Sequence, residues 1–385
     1  MKRISLIAIM ALMGIGSVAA KSSTTLPIVG EVVKATNPLI QYVGRVSFAK
    51  NETASFNFPG TSIFARFQGS SLKMICRPMT GYFMAQVDGC EPFKVGFNAE
   101  RDSVVTVAAA LPKGEHQVKL MYVIEGLFRT PEFRGFVLDK GCSLVKSPDL
   151  PERKIEFIGN SITCGYGVES IEMTDPFEDE TENHWLTYAN IVSDSLNAQH
   201  TSISRSGIGV YRNYDGPKAG SAENMPWQYE YTLFNKHDEK WDFNKYQPQL
   251  VCINLGTNDL STNNYDIALY EKNYRMFLTT VRSKYPNAKI VLITGPMLGE
   301  KESGEQREVL DRICSDANKK GFTLPEEVRK ARKGKNKGDK DIYRFDFTFQ
   351  TGDLGYGASW HPSKLQHQKM AGELLPFLRN LMGWE

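Results

Sequence analysis

Between residues 35 and 148 apolar and polar positions alternate in short runs. YVGRVSF, ASFNFPG, SIFARFQG, SLKMICRP, FMAQVDG, SVVTVAAALPKG, HQVKLMYVIEG and FRGFVLDKG follow one another, with Gly, Pro, Asp or Asn between them. A period of two sends alternate side chains to opposite faces of a strand, and turn residues at this spacing fold successive strands back on one another. The pattern predicts an antiparallel β-sandwich of about eight strands. Tyr82, Phe83 and Tyr122 fall on it at strand spacing, which places them in its core rather than on a sugar-binding face.

The rhythm changes at Ser147-Pro148-Asp149-Leu150-Pro151, where two prolines mark a short connection. Beyond it, buried-strand runs alternate with helical ones. KIEFIG is followed by the amphipathic WLTYANIVSDSLNAQ and then the strand HTSISRSG. QLVCINLG, the helix NYDIALYEKNYRMFLTTVRSKY, the strands AKIVLITG and IYRFDF, and the closing helix KLQHQKMAGELLPFLRNLM complete the series. Such alternation requires parallel strands with helical crossovers, hence a three-layer α/β domain with a parallel sheet. No internal repeat is visible. The division expected is 21–148 for the sandwich and 151–385 for the α/β domain.

Residues 1 to 20 read as a signal peptide. Lys2 and Arg3 precede the apolar run ISLIAIMALMGIG, and Val18-Ala19-Ala20 offers small residues for cleavage. The run is short for a membrane span, and no later stretch has the length or apolarity for one. An exported chain, periplasmic or secreted and without membrane insertion, is therefore expected. The formal charge of +2 over 385 residues argues against nucleic acid as the partner and favours a neutral substrate. A basic run at 326–341 offers a face for an acidic polysaccharide or a solvated helix end and loop. The six cysteines are scattered, matching no small disulfide framework and no zinc spacing. No other ligand set suggests a metal, and no phosphate loop or dinucleotide fingerprint is present, so no cofactor is expected.

The candidate chemistry centres on IEFIGNSIT, residues 155–163, where a buried strand ends at Gly159 and presents Ser161. In an open parallel sheet ligands gather at the carboxyl ends of the strands. Three later stretches reach the same edge: SRSGIGVY, which carries Gly207; NLGTNDLS, which carries Asn258; and SWHPS, which carries His361. Acyl transfer needs these groups, because a Ser hydroxyl requires a base with a near-neutral pKa and the tetrahedral intermediate requires donors at its oxyanion. The N–H of Ser161, the N–H of Gly207 and the Asn258 amide are the donors expected. Cys164 is a further nucleophile candidate, but an ordinary buried thiol is the reading preferred.

GNSIT, the SGIG turn, GTND and WHP, in that order, resemble the four blocks of the SGNH (GDSL-like) hydrolases. GNSITCGYGVE, WDFNKYQPQLVCINLGTNDLS and WHPS behind a β-sandwich are similar to the acetyl esterases of carbohydrate esterase family two. That resemblance implies a jelly-roll domain joined to an SGNH domain, with Ser161 as nucleophile, His361 as base, and Gly207 and Asn258 as oxyanion donors. The activity it implies is removal of acetyl groups from plant polysaccharides such as xylan or glucomannan. Two positions depart from the SGNH pattern. Asn160 stands where Asp is usual, and Ala358 occupies the place of the triad acid, three residues before His361. The resemblance implies instead a Ser–His dyad with a backbone carbonyl orienting the imidazole. Asp353 is the carboxylate alternative, although a loop containing Gly352, Gly355 and Gly357 gives no reason for that geometry.

Trp360 is the first aromatic expected to stack on a sugar, followed by Trp227 and Tyr166, with core packing the alternative for each. His184 and His116 read as structural, His367 as exposed, and His200 and His237 as without an evident partner. Asp259 is expected to brace its loop. The function expected is an exported serine esterase acting on an acetylated carbohydrate. The alternatives are a lipase-like or thioesterase-like hydrolase of another acyl ester, and a non-catalytic carbohydrate-binding protein. Oligomeric state and disulfide pairing are left open.

Overall fold

The computed structural model describes residues 28–50, 52–101, 103–262, 264–320 and 339–385. The expected signal peptide and all but the end of the basic run lie outside them. The first part of the chain forms β1 (Glu31–Lys34), β2 (Gln41–Val43), β3 (Ala54–Ser55), β4 (Ser62–Gly69), β5 (Leu72–Cys76), β6 (Gly81–Val87), β7 (Phe93–Phe97), β8 (Val104–Ala108), β9 (Gly114–Tyr122), β10 (Glu132–Leu138) and β11 (Leu144–Val145). They make two antiparallel sheets. One runs β1-β10-β5-β8 with β3 beside β10, and the other runs β11-β4-β9-β6-β7 with β2 beside β4. β1, β7 and β11 exceed the expected set. All three are edge strands with partners on one side, so their sequences carry little of the alternation that a central strand needs.

Between the sheets, Phe56, Phe83 and Tyr122 meet edge to face with centroids 5.3 to 6.0 Å apart. Each ring gains roughly 1.5–3 kcal/mol by leaving water. Tyr82, Phe83 and Tyr122 are therefore core residues, as their spacing predicts.

The second part contains β12 (Arg153–Gly159), α1 (Ser161–Cys164), α2 (Tyr188–Ser195), β13 (Ala198–Ser204), α3 (Met225–Gln228), β14 (Tyr231–Leu233), β15 (Lys236–Lys240) and β16 (Leu250–Asn254). It continues with α4 (Thr257–Leu260), α5 (Ile267–Lys284), β17 (Lys289–Thr294), α6 (Glu300–Lys320), β18 (Ile342–Asp346) and α7 (Lys364–Met382). The parallel sheet has the order β13-β12-β16-β17-β18. This is a doubly wound arrangement whose order reverses at its first strand, β12, and such a switch point opens a crevice at the carboxyl edge. The small β14–β15 hairpin and α6 were not foreseen. α6 is mostly polar, with a narrow apolar seam at Val309, Leu310, Ile313 and Ala317 facing the core.

The helices follow their local signals. Asp266 caps α5 by accepting from the amides of Ala268 and Leu269, and Tyr270, Tyr274, Phe277, Leu278 and Val281 form its buried stripe. Ser363 caps α7, two residues after His361, and left-handed Gly383 ends it. This cap fixes where the segment carrying His361 enters the domain.

The sandwich and the α/β domain share a buried lock. Arg45 precedes β3 and is 1% exposed, and its guanidinium donates to the carbonyls of Tyr229 and Tyr231. The rings of Phe58, Tyr229, Trp241 and Phe243 surround it at 5.0 to 5.6 Å. Glu156 on β12 accepts the hydroxyls of Tyr229 and Tyr285, so a buried cation and a buried acid anchor the same aromatic layer. Truncating Arg45 leaves two carbonyls without their donor and empties an aromatic cage. Arg45→Ala is expected to lower stability by about 3 kcal/mol, read as a reduced midpoint in chemical denaturation.

Candidate active site

Parallel register brings the functional segments to one row. Gly159 on β12 lies opposite Ser204 on β13 and Asn254 on β16. Ser161, Gly207 and Asn258 follow these residues by two, three and four positions, on neighbouring strands at the same sheet edge. α1 begins at Ser161, and Asn160 caps it by accepting the Ile162 amide at 3.1 Å. A neutral amide therefore does the capping at the position where the usual block has Asp.

His361 reaches Ser161 from the far end of the chain. Its Nε2 lies 2.8 Å from Ser161 Oγ. Its Nδ1 faces the carbonyl oxygens of Ala358 at 3.0 Å and Ser359 at 3.2 Å. Carbonyls only accept, so Nδ1 carries the proton and Nε2 is free to accept from the Ser hydroxyl. Ser359 and Trp360 both adopt left-handed φ, 50° and 58°. This strained pair curls the preceding carbonyls back onto the imidazole. Asp353 does not take part. It is exposed and accepts the Thr351 hydroxyl at 2.8 Å.

Ala358 is fully buried against Gly167. A Cβ on left-handed Gly167 would stand 2.3 Å from that of Ala358, and the Ala358 N–H donates to the Gly167 carbonyl at 3.1 Å. There is no room at 358 for a carboxylate. Tyr166, beside Gly167, stacks on the His361 ring with centroids 4.1 Å apart, and Phe177 backs Tyr166 at 4.5 Å. Enclosure in this packing pushes the His361 pKa down to about 4, with the two carbonyls opposing the shift. The imidazole is neutral at physiological pH.

Gly207 turns the loop after β13 with φ 74°. Its N–H makes no hydrogen bond to a described residue. Asn258, second in α4, gives one amide hydrogen to the Ile208 carbonyl at 2.8 Å, which orients the other. Asp259 accepts the amides of Val210, Tyr211 and Arg212 and so braces the Gly207 loop, the role its position suggested. Burial raises its pKa to about 6.

Of the aromatics, Trp360 is 53% exposed beside His361. Trp227 instead packs on His237 at 3.8 Å and on Tyr231, against the β14–β15 hairpin. It makes no described contact with the dyad. Tyr214 was missed; it is 60% exposed, and its N–H donates to the Gly207 carbonyl. The turn residues Asn213, Asp215 and Gly216 around it were the available signal. His367 is buried rather than exposed, with its Nδ1 accepting the Tyr188 amide. His200 finds its partner in His184, with Nε2 atoms 3.0 Å apart. All six thiols are free, and burial beside Glu125 and Glu182 raises the Cys164 pKa, which removes it as a nucleophile. Glu125, Cys164 and Glu182 form the one group among the described residues with spacing suited to a metal ion, their ligand atoms lying within 4.8 Å of one another.

The fold and this edge of the sheet define a hydrolase of the Ser–Gly–Asn–His type. A family model for GDSL-like lipase/acylhydrolase matches residues 155–374, and one for the N-terminal region of carbohydrate esterase 2 matches residues 42–148. The chain belongs to the family two carbohydrate esterases. A family two carbohydrate esterase from Clostridium thermocellum, solved with cellohexaose, is 34% identical with a TM-score of 0.79, over 90% of this chain and 100% of that one. Cellulase/esterase CelE of Acetivibrio thermocellus is 34% identical over 90% of this chain, which spans 40% of that protein. An acetylxylan esterase / glucomannan deacetylase of Cellvibrio japonicus is 27% identical, with 91% of both chains covered.

A base is active when neutral, so a folded pKa near 4 preserves neutral His361 well below the usual histidine range. The acid limb of kcat/KM should have its midpoint near pH 4 rather than 6.5, measured on a non-ionising ester. Stability follows the same sign. His184 and His367 are held down to about 4 and about 3 by burial, so below pH 6.5 the unfolded chain binds more protons. Stability should be full above 6.5 and fall as pH drops from there toward 4, by up to about 1.4 kcal/mol per unit and per histidine. Because Asp353 is turned toward Thr351, Asp353→Asn should leave kcat within about twofold, a cost below 0.5 kcal/mol.

Proposed function

We propose that this protein is an exported O-acetyl esterase acting on a plant polysaccharide such as xylan or glucomannan. The observation that carries the reading is the 2.8 Å contact between Ser161 Oγ and His361 Nε2, with Nδ1 committed to backbone carbonyls. The names of relatives that deacetylate xylan and glucomannan support the substrate class, and Lys2, Arg3 and the apolar run after them support export.

In this reading His361 takes the Ser161 proton as Oγ attacks the acetyl carbonyl. Negative charge forms on the former carbonyl oxygen and is met by the N–H groups of Ser161 and Gly207 and the Asn258 amide. The sugar alkoxide leaves with the proton from His361. Water then attacks the acetyl-enzyme with His361 taking its proton, and acetate departs as His361 returns that proton to Ser161 Oγ. A carbonyl suffices in place of an acid because the third member fixes tautomer and angle without taking the proton. Trp360 and Tyr214 present exposed rings on which apolar pyranose faces can stack.

Acetate release from acetylated xylan and glucomannan tests this reading. Ser161→Ala and His361→Ala should each lose at least about 10³-fold in kcat, whereas Trp360→Ala should mainly raise KM on the polymer. Wild-type turnover by Ser161→Ala, or faster cleavage of long acyl esters than of acetyl esters, would overturn it.

A further inference from the structure

Behind the nucleophile lies a buried cluster of acids that the dyad does not touch. Glu125 belongs to the sandwich, in the loop after β9, and is 3% exposed. Its Oε2 accepts the Ser206 N–H at 2.7 Å and lies 3.8 Å from the Cys164 thiol. Its own N–H donates to Glu182 Oε2 at 2.9 Å. Ser206 immediately precedes Gly207, and Cys164 ends the helix that Ser161 begins. One carboxylate from the first domain therefore holds two catalytic segments of the second.

We propose that Glu125 is a positioning residue for the oxyanion hole: the β-sandwich supplies the carboxylate that fixes the backbone at Ser206, and with it the aim of the Gly207 N–H. The proposal rests on the esterase reading above. Gly207 has no side chain to hold its peptide, and its N–H bonds to no described residue, so the Ser206 N–H one residue earlier is the contact that holds the entering side of the turn. On the far side of Gly207 its carbonyl accepts from Tyr214, the Ile208 carbonyl from Asn258, and Asp259 grips the loop from Val210 onward. Glu125 thus controls the other side of the turn.

The local charges suit the task. Burial raises both acids, and the Glu125 charge pushes Glu182 further up, whereas the Ser206 N–H and Arg205 favour the Glu125 anion. The Ser206 N–H and the Cys164 thiol both face Glu125 Oε2, so the two segments converge on this one oxygen. Misdirecting an oxyanion donor costs transition-state binding and leaves ground-state binding nearly unchanged.

The test uses the full chain. Glu125→Met fills the site without a strong acceptor, and Glu125→Gln retains an acceptor oxygen for Ser206. Asn57→Ala is the control, since it cuts the contacts of Asn57 with Asn235 and Phe234 across the same domain boundary without touching Ser206. kcat and KM on a chromogenic acetyl ester are measured together with inhibition by a boronic acid that mimics the tetrahedral adduct. Glu125→Met should lose about 10- to 100-fold in kcat with KM within about threefold, and boronate affinity should fall in parallel. Glu125→Gln should recover to within about fivefold, and Asn57→Ala should match wild type. A Met variant with normal kcat, a Gln variant no better than Met, or unchanged boronate affinity would overturn the proposal. If Glu125→Met does not fold, amide exchange at Ser206 in the wild type decides: protection comparable to β12 supports the clamp, and loop-like exchange removes it. An inert wild type would count against the esterase reading instead, and the Ser206 exchange measurement would still decide the clamp.

Discussion

His361 donates from Nδ1 to the carbonyls of Ala358 and Ser359 and accepts at Nε2 from Ser161, and much of the surrounding structure keeps these bonds in place. The left-handed turn at Ser359 and Trp360 bends the carbonyls inward. The Ser363 cap fixes the start of α7, and the bridge between Tyr356 and Pro362 closes the loop at its base. Tyr166 covers one face of the ring and limits its rotation. The same enclosure lowers the pKa of the imidazole. A carboxylate below this ring would raise its basicity. Gly167, pressed against Ala358, leaves no space for one, so orientation is achieved by backbone alone.

The two folds work as one body because buried polar groups cross between them. Arg45 sits in an aromatic cage built mainly by the second domain, and the His184 N–H donates to the carbonyl of Val123 in the first. Glu125 adds a contact to the loop behind the catalytic edge. Buried polar groups of this kind are costly when one partner is removed. The sandwich is accordingly a structural part of the hydrolase.

Much of this was legible in the chain. The alternation in SIFARFQG and HQVKLMYVIEG marks β4 and β9, because a strand with one face in the core must repeat every second residue. The buried runs of β12 and β16 end at Gly159 and at Asn254-Leu255-Gly256, which places Ser161 and Asn258 at one edge once the sheet is parallel. His361 was found because WHPS opens a helix at that edge. Edge strands β1, β7 and β11 were not legible, since half their environment is solvent. α6 escaped because its apolar seam is narrow and the rest of it is charged.

What the sequence determined by itself was periodicity and local chemistry: two folds, a Ser after a strand, a His before a helix, and the lack of an acid three residues upstream. Tertiary structure decided which groups meet. Trp227 and Trp360 look alike in sequence, yet one packs on His237 and the other lies open beside His361. His367, the fourth residue of a polar-looking helix, proved buried because α2 covers that face. Glu125 carried no local signal, since its meaning comes from a Ser206 amide 81 residues away. Contacts at that separation depend on how two domains pack, a property of the assembled surfaces that no short window of residues contains.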